Sequence, residues 1–171
     1  MRYGMTLLCC AAVVVGCGSS SDKETFHANM TSAQEIPTPV VNTPTPVGTA
    51  QFTNNGNGTV SYTVTGSNMT VSTGTPAVTF SGMHIHLAAA GQTAGVTVPF
   101  TTPANGATSF TQTGTFTSTT CGGATTTNCI NSPATFDSVL TAMRNGGAYL
   151  NVHTSRNTGG ELRGQIQTGG L

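Results

Sequence analysis

The chain has 171 residues and almost no charge, with five Lys or Arg against five Asp or Glu, 6% of the total, where an average soluble protein carries roughly 25%. It has no basic stripe to neutralise phosphates, which excludes nucleic acid as a partner. Roughly a fifth of the residues are threonine, and Gly, Ser and Asn are abundant, a strand-and-turn composition whose solubility rests on hydroxyls and amides.

The chain opens MRYGMTLLCCAAVVVGC, with Arg2 ahead of an apolar run from Leu7 to Val15. That run is too short to span a bilayer with its flanks and reads as an export signal over residues 1–16. Val14-Val15-Gly16-Cys17 resembles the lipobox of bacterial lipoproteins. The resemblance implies cleavage before Cys17 and acylation of its sulfur and amine, with several chains giving durable anchoring. Membrane contact is thus expected through the lipid on Cys17. Gly18 after it, with no Asp there, resembles outer-membrane sorting, so the expected location is the bacterial cell envelope. Residues 17–24 are the lipidated cysteine and a polar tether; the seven residues after Cys17 reach at most about 25 Å.

Residues 25–168 read as one domain of short strands. A first strand is expected over residues 26–35, and Pro37, Pro39, Pro44 and Pro46 then mark an extended connection. Strands over 49–53 and 59–66 flank the hairpin signal Asn54-Asn55-Gly56-Asn57-Gly58. In the second of them Val60, Tyr62 and Val64 alternate with hydroxyl residues, one face toward a core and one toward water. Further strands are expected over 77–87, 95–100 and 109–117. Cys121 and Cys129 are an even pair in an exported chain and predict a disulfide closing a short loop. Ser132 and Pro133 then read as the start of the single helix, near 133–144, with Phe136, Val139, Leu140 and Met143 at helical spacing as its core stripe. Gly146-Gly147 stops it, and strands over 148–154 and 161–167 close the chain. The predicted class is all-β, a Greek-key-like β-sandwich.

Gln34-Glu35-Ile36-Pro37, His84-Ile85-His86, the stretch GAYLNVHT from Gly147 to Thr154, and GELRGQI from Gly160 to Ile166 occur in an order and spacing similar to the CHRD domain, a family named after chordin. The resemblance covers about residues 25–167 and is most specific in its last two motifs. Two departures are Leu87-Ala88-Ala89-Ala90 after the second histidine, where the family often has glycines, and the Cys121–Cys129 loop. The resemblance bears on fold more than on activity.

Along residues 82–87, Met83, Ile85 and Leu87 face one way and His84 and His86 the other. Two such imidazoles stand about 6.6 Å apart along a strand and can share one metal ion. His153, with Tyr149 and Asn151 on one face of its strand, is the natural third ligand, and His27 a fourth candidate. Imidazoles without thiolates suit copper or zinc. Glu35 or Glu161 could hold the far nitrogen of an imidazole. The His-x-His is also similar to that of copper,zinc superoxide dismutases, but only His84 and His86 match, with His153 a looser third; the bridging histidine and zinc ligands have no counterpart. In the structural alternative His84 and His86 bond polar neighbours, His153 locks the last hairpin, and Arg163 pairs with Glu161 or Glu35. No Gly-x-Ser-x-Gly elbow, phosphate-cradling glycine loop or close carboxylate pair is present. The leading expectation is a non-enzymatic binding or structural module. The alternative is a copper- or zinc-binding protein with dismutase-like redox chemistry.

Overall fold

The computed structural model describes residues 23–123 and 125–171; the expected signal, Cys17 and the tether through residue 22 lie outside the described residues. Threonine alternating with apolar side chains yields nine strands among the described residues: β1 (Glu24–Thr31), β2 (Val47–Asn54), β3 (Thr59–Ser67), β4 (Phe80–His86), β5 (Val96–Pro99), β6 (Phe110–Thr117), β7 (Tyr149–Thr154), β8 (Leu162–Gln165) and β9 (Gln167–Thr168). They form one antiparallel sheet in the order β5-β4-β7-β8-β1-β2-β3-β6, with β9 beside β1. The chain leaves β3, builds β4 and β5 at the opposite end, and returns as β6 beside β3. The all-β, sandwich-like expectation therefore holds, in a sheet rolled nearly into a barrel.

The two ends of the sheet are bridged by the segment 128–131. Asn128 and Asn131 N–H donate to Pro99 O and Thr97 O of β5, at 2.6 and 2.8 Å. On its other side Asn128 O accepts from Thr117 N–H of β6 at 3.0 Å, and Ile130 N–H donates to Thr119 O. The expected disulfide, Cys121–Cys129, ties this strap to the chain leaving β6. The barrel is thus fastened by a short cross-linked loop, and neither end of the sheet is left as an open edge along this stretch.

Inside sit Phe26, Met30, Phe52, Val60, Val64, Met83, Ile85, Phe116, Leu150, Val152 and Leu162, all buried. The helix α1 (Phe136–Arg144) packs Val139, Leu140 and Met143 against this core. It starts later than Ser132-Pro133 suggested. Thr135 caps it, accepting from Ser138 N–H while Ser138 Oγ accepts from Thr135 N–H, a reciprocal pair that outcompetes the earlier serine. Gly146, at φ 65°, ends it as expected. The first strand is shorter than expected, stopping at Thr31. Ser32 Oγ donates to Glu161 O at 2.7 Å and Gln34 Nε2 folds back to Asn29 O, so residues 32–34 form a 3₁₀ turn.

Candidate metal centre

The other face of β4, β7 and β8 builds the site. Because side chains alternate along a strand, Met83, Ile85, Leu150, Val152 and Leu162 go to the core and leave Gly82, His84 and His86, Tyr149, Asn151 and His153, and Arg163 on the outside. Antiparallel register sets His84 opposite Asn151, His86 opposite Tyr149 and Gly82 opposite His153, while Asn151 also faces Arg163. This outer face is covered except over His84 and His153, which are half-buried. Loops carrying Glu35, Gln92, Ala94 and Thr158 cover it, and Tyr149, Asn151, Arg163, His86 and Glu35 are all buried.

Sequence spacing brings His84 and His86 together, and the β4–β7 register adds His153. One ring nitrogen from each lies within 4.8 Å of the other two. Ring centroids are 5.0 Å apart for His84 and His153, 5.7 Å for His84 and His86, and 6.1 Å for His86 and His153. Among the described residues this is the one cluster of three or more His, Cys, Asp or Glu donors. His27 stands apart from it, on β1 with its Nδ1 3.2 Å from Gly169 O.

The outer nitrogens are held by backbone. His86 Nδ1–H donates to Ala94 O at 2.9 Å, and His153 Nδ1–H to Thr158 O at 3.0 Å. A carbonyl only accepts, so it places the proton on Nδ1 and leaves the Nε2 lone pair free. Those Nε2 atoms are buried without a partner, and so is His84 Nδ1. Neither Glu35 nor Glu161 hydrogen-bonds an imidazole, the role considered for them; loop carbonyls hold His86 and His153 instead. Gly82 lets the His84 ring lie against the sheet, since a Cβ there would meet ring atoms, Nε2 at 2.8 Å among them. Tyr149 stacks on His86 with centroids 4.8 Å apart and rings 9° from parallel, and the Arg163 guanidinium lies 3.6 Å over the other side of Tyr149.

The expected Glu161–Arg163 and Glu35–Arg163 ion pairs do not form: among the described residues the one salt bridge is Arg144–Glu24. Glu161 precedes β8, so strand alternation does not place it beside Arg163. Its carboxylate turns to Thr70, Thr154 and Asn157 and is fully buried. Arg163 instead donates to Gln92 O at 2.7 Å. Glu35 accepts from Asn151 Nδ2 at 3.3 Å. That contact with the site, and the roles of Gly82, Tyr149 and Ala94, carry no signal in a single sequence because they depend on which strands lie side by side.

Burial disfavours charge here. It pushes His84 down to about 4, with repulsion from His153 and His86 adding to the effect. Burial also lowers His86 and His153. Glu35 is raised to about 7, again by burial, with Arg163 and Asn151 acting the other way. A histidine lowered in the folded state binds fewer protons than in the unfolded chain, so its contribution to stability falls as pH drops below about 6.5. Glu35, raised, opposes this between about 4.5 and 7. Three imidazoles thus act in one direction and one carboxyl in the other. The melting temperature of metal-free protein is therefore expected to fall from pH 6.5 to 4, more steeply than in His84→Gln; a flat profile would contradict these neutral imidazoles.

Three imidazoles that each offer a ring nitrogen within 4.8 Å of the other two are a donor set for a transition metal, and bonds of about 2.0–2.1 Å need only modest ring rotations from the observed separations. No curated protein and no solved structure matches this chain. The family model of the CHRD domain matches residues 26–166, a span that supports a binding or structural module and includes every residue of the site. The chain belongs to the CHRD domain family.

Proposed function

We propose that this protein is a lipid-anchored, non-enzymatic module of the bacterial cell envelope that binds one copper or zinc ion through His84, His86 and His153. The observation that carries the reading is the meeting of three imidazoles, one ring nitrogen of each within 4.8 Å of the others, every ring carrying a buried nitrogen without a partner. Buried polar atoms are nearly always satisfied, so three orphans in one place call for a common partner. An all-imidazole donor set suits copper and zinc and disfavours calcium or magnesium.

Metal analysis followed by Cu(II) and Zn(II) titration tests this. One equivalent per chain at micromolar or tighter affinity is expected, weakened on the order of 100-fold or more in His86→Ala, which removes one of three ligands. No stoichiometric uptake of either ion ends the proposal. The two titrations also decide between the metals.

The anchor rests on the Val14-Val15-Gly16-Cys17 resemblance and the tether that follows it. Because β1 begins at Glu24, that tether would hold the domain close to the membrane. Acyl-chain incorporation is expected in wild type and is expected to be lost in Cys17→Ala; wild-type protein carrying no acyl chain would remove the anchor.

A further inference from the structure

Five buried side-chain atoms among the described residues have no hydrogen-bond partner, and all five belong to this one region. Three are the imidazole nitrogens. The other two are the oxygens Asn151 Oδ1 and Glu35 Oε1. Asn151 stands opposite His84 on the neighbouring strand and shares its outer face, and its amide donates to Glu35 Oε2, linking the two residues. Resting on the reading that the imidazoles hold a metal ion, we propose that Asn151 and Glu35 accept hydrogen bonds from a water molecule bound at the metal's fourth position. The centre then keeps one exchangeable protic ligand in place of a fourth protein ligand.

Three features support this. Structural zinc sites close with four protein ligands, whereas sites that keep three hold water or substrate in the open position. Here the cluster contains three histidines and no carboxylate. Asn151 Oδ1 is a carbonyl oxygen and only accepts, and Glu35 Oε1 accepts whenever the carboxyl is ionised, so the ligand that satisfies them must donate; water does, and an aprotic anion does not. The room they occupy is built in. Gly160, at φ 129°, is a position where a Cβ would fall 2.5 Å from each Glu35 carboxyl oxygen and 2.6 Å from Asn151 Nδ2. Only glycine lets the turn between β7 and β8 pass beneath that pair. The same turn supplies Thr158 O to His153, so one loop orients both a ligand and the acceptors. His84 and His153 are only half-buried, which leaves solvent a route to the centre.

The experiment uses Cu(II)-loaded protein, with water-proton relaxation to detect an exchanging inner-sphere water and azide as the displacing probe, read by its charge-transfer band. Wild type is expected to show inner-sphere relaxation that azide suppresses. In Asn151→Ala the water loses an acceptor, and in Glu35→Gln the amide oxygen stays with Asn151 Nδ2 and an NH2 donor replaces Oε1, so in both azide is expected to bind at least threefold more tightly while copper stoichiometry stays at one. Glu35→Gln keeps the side chain's size and serves if Asn151→Ala folds poorly. Copper uptake without inner-sphere relaxation or an azide band would show a closed site and overturn this inference alone. So would azide affinities identical in wild type and both variants. Failure of wild type to take up copper or zinc would instead remove the metal reading, and this inference with it.

Discussion

Glu161→Ala is expected to destabilise the fold by about 3–5 kcal/mol, read as a fall in the urea midpoint at unchanged slope. Glu161 is fully buried and accepts from Thr70 N–H at 2.6 Å, from the Thr70 hydroxyl, from Thr154 Oγ1 at 2.6 Å and from Asn157 Nδ2 at 2.8 Å. Truncation leaves four donors in a space that excludes water, and each stranded donor forfeits its hydrogen bond without recovering hydration. Against a typical total of about 5–15 kcal/mol, that loss is enough to leave a sizeable unfolded fraction at 37 °C. Glu161→Gln preserves the volume and one acceptor, so it is expected to lose less than half as much. The effect extends to the site, because Asn157 opens the turn whose Thr158 carbonyl orients His153. A loss under about 1 kcal/mol for Glu161→Ala would mean that Thr70 and Thr154 find other partners, and the carboxylate's role as a latch would be wrong.

The period-two signal in MHIH was legible because it is local: alternation alone places His84 and His86 together, whatever the strand's neighbours are. His153 was legible at one remove, since Tyr149, Asn151 and His153 alternate in the same way. What joins them is the β4–β7 register, fixed by Met83 and Ile85 packing with Leu150 and Val152 in the core. The charged residues were read less well, and the reason is geometric. Glu161 and Arg163 sit two apart, yet Glu161 lies before β8 begins and its partners include Thr70, 91 residues away. The backbone carbonyls of Ala94 and Thr158 that hold the imidazoles have no side-chain identity to notice. Similarly, the Ser132-Pro133 signal lost to Thr135 and Ser138 because a reciprocal cap satisfies two N–H groups at once. Local pattern thus placed the ligands; their support came from contacts between elements far apart in the chain.

Gly82→Ala is the sharpest test of that support. Gly82 is opposite His153 and two residues before His84, and it belongs to neither the ligand set nor the core. A Cβ there would press on the His84 ring, lying 2.8 Å from Nε2 and 3.3 Å from Nδ1. Contacts that close cannot persist, and the ring, a mobile side chain with solvent on one side, yields before the backbone does. His84 then swings away from His86 and His153, and the three nitrogens no longer meet. Metal affinity is expected to fall about 10–100-fold, the range typical when a ligand's positioning is lost while the ligand itself remains. The metal-free protein is expected to melt within a few degrees of wild type, roughly the shift that about 1 kcal/mol produces in a domain of this size. Measured together, the two readouts separate positioning from folding. Unchanged Cu(II) and Zn(II) affinity in Gly82→Ala would show that His84 does not bind from the position seen here, and the centre would have to be rebuilt on His86 and His153.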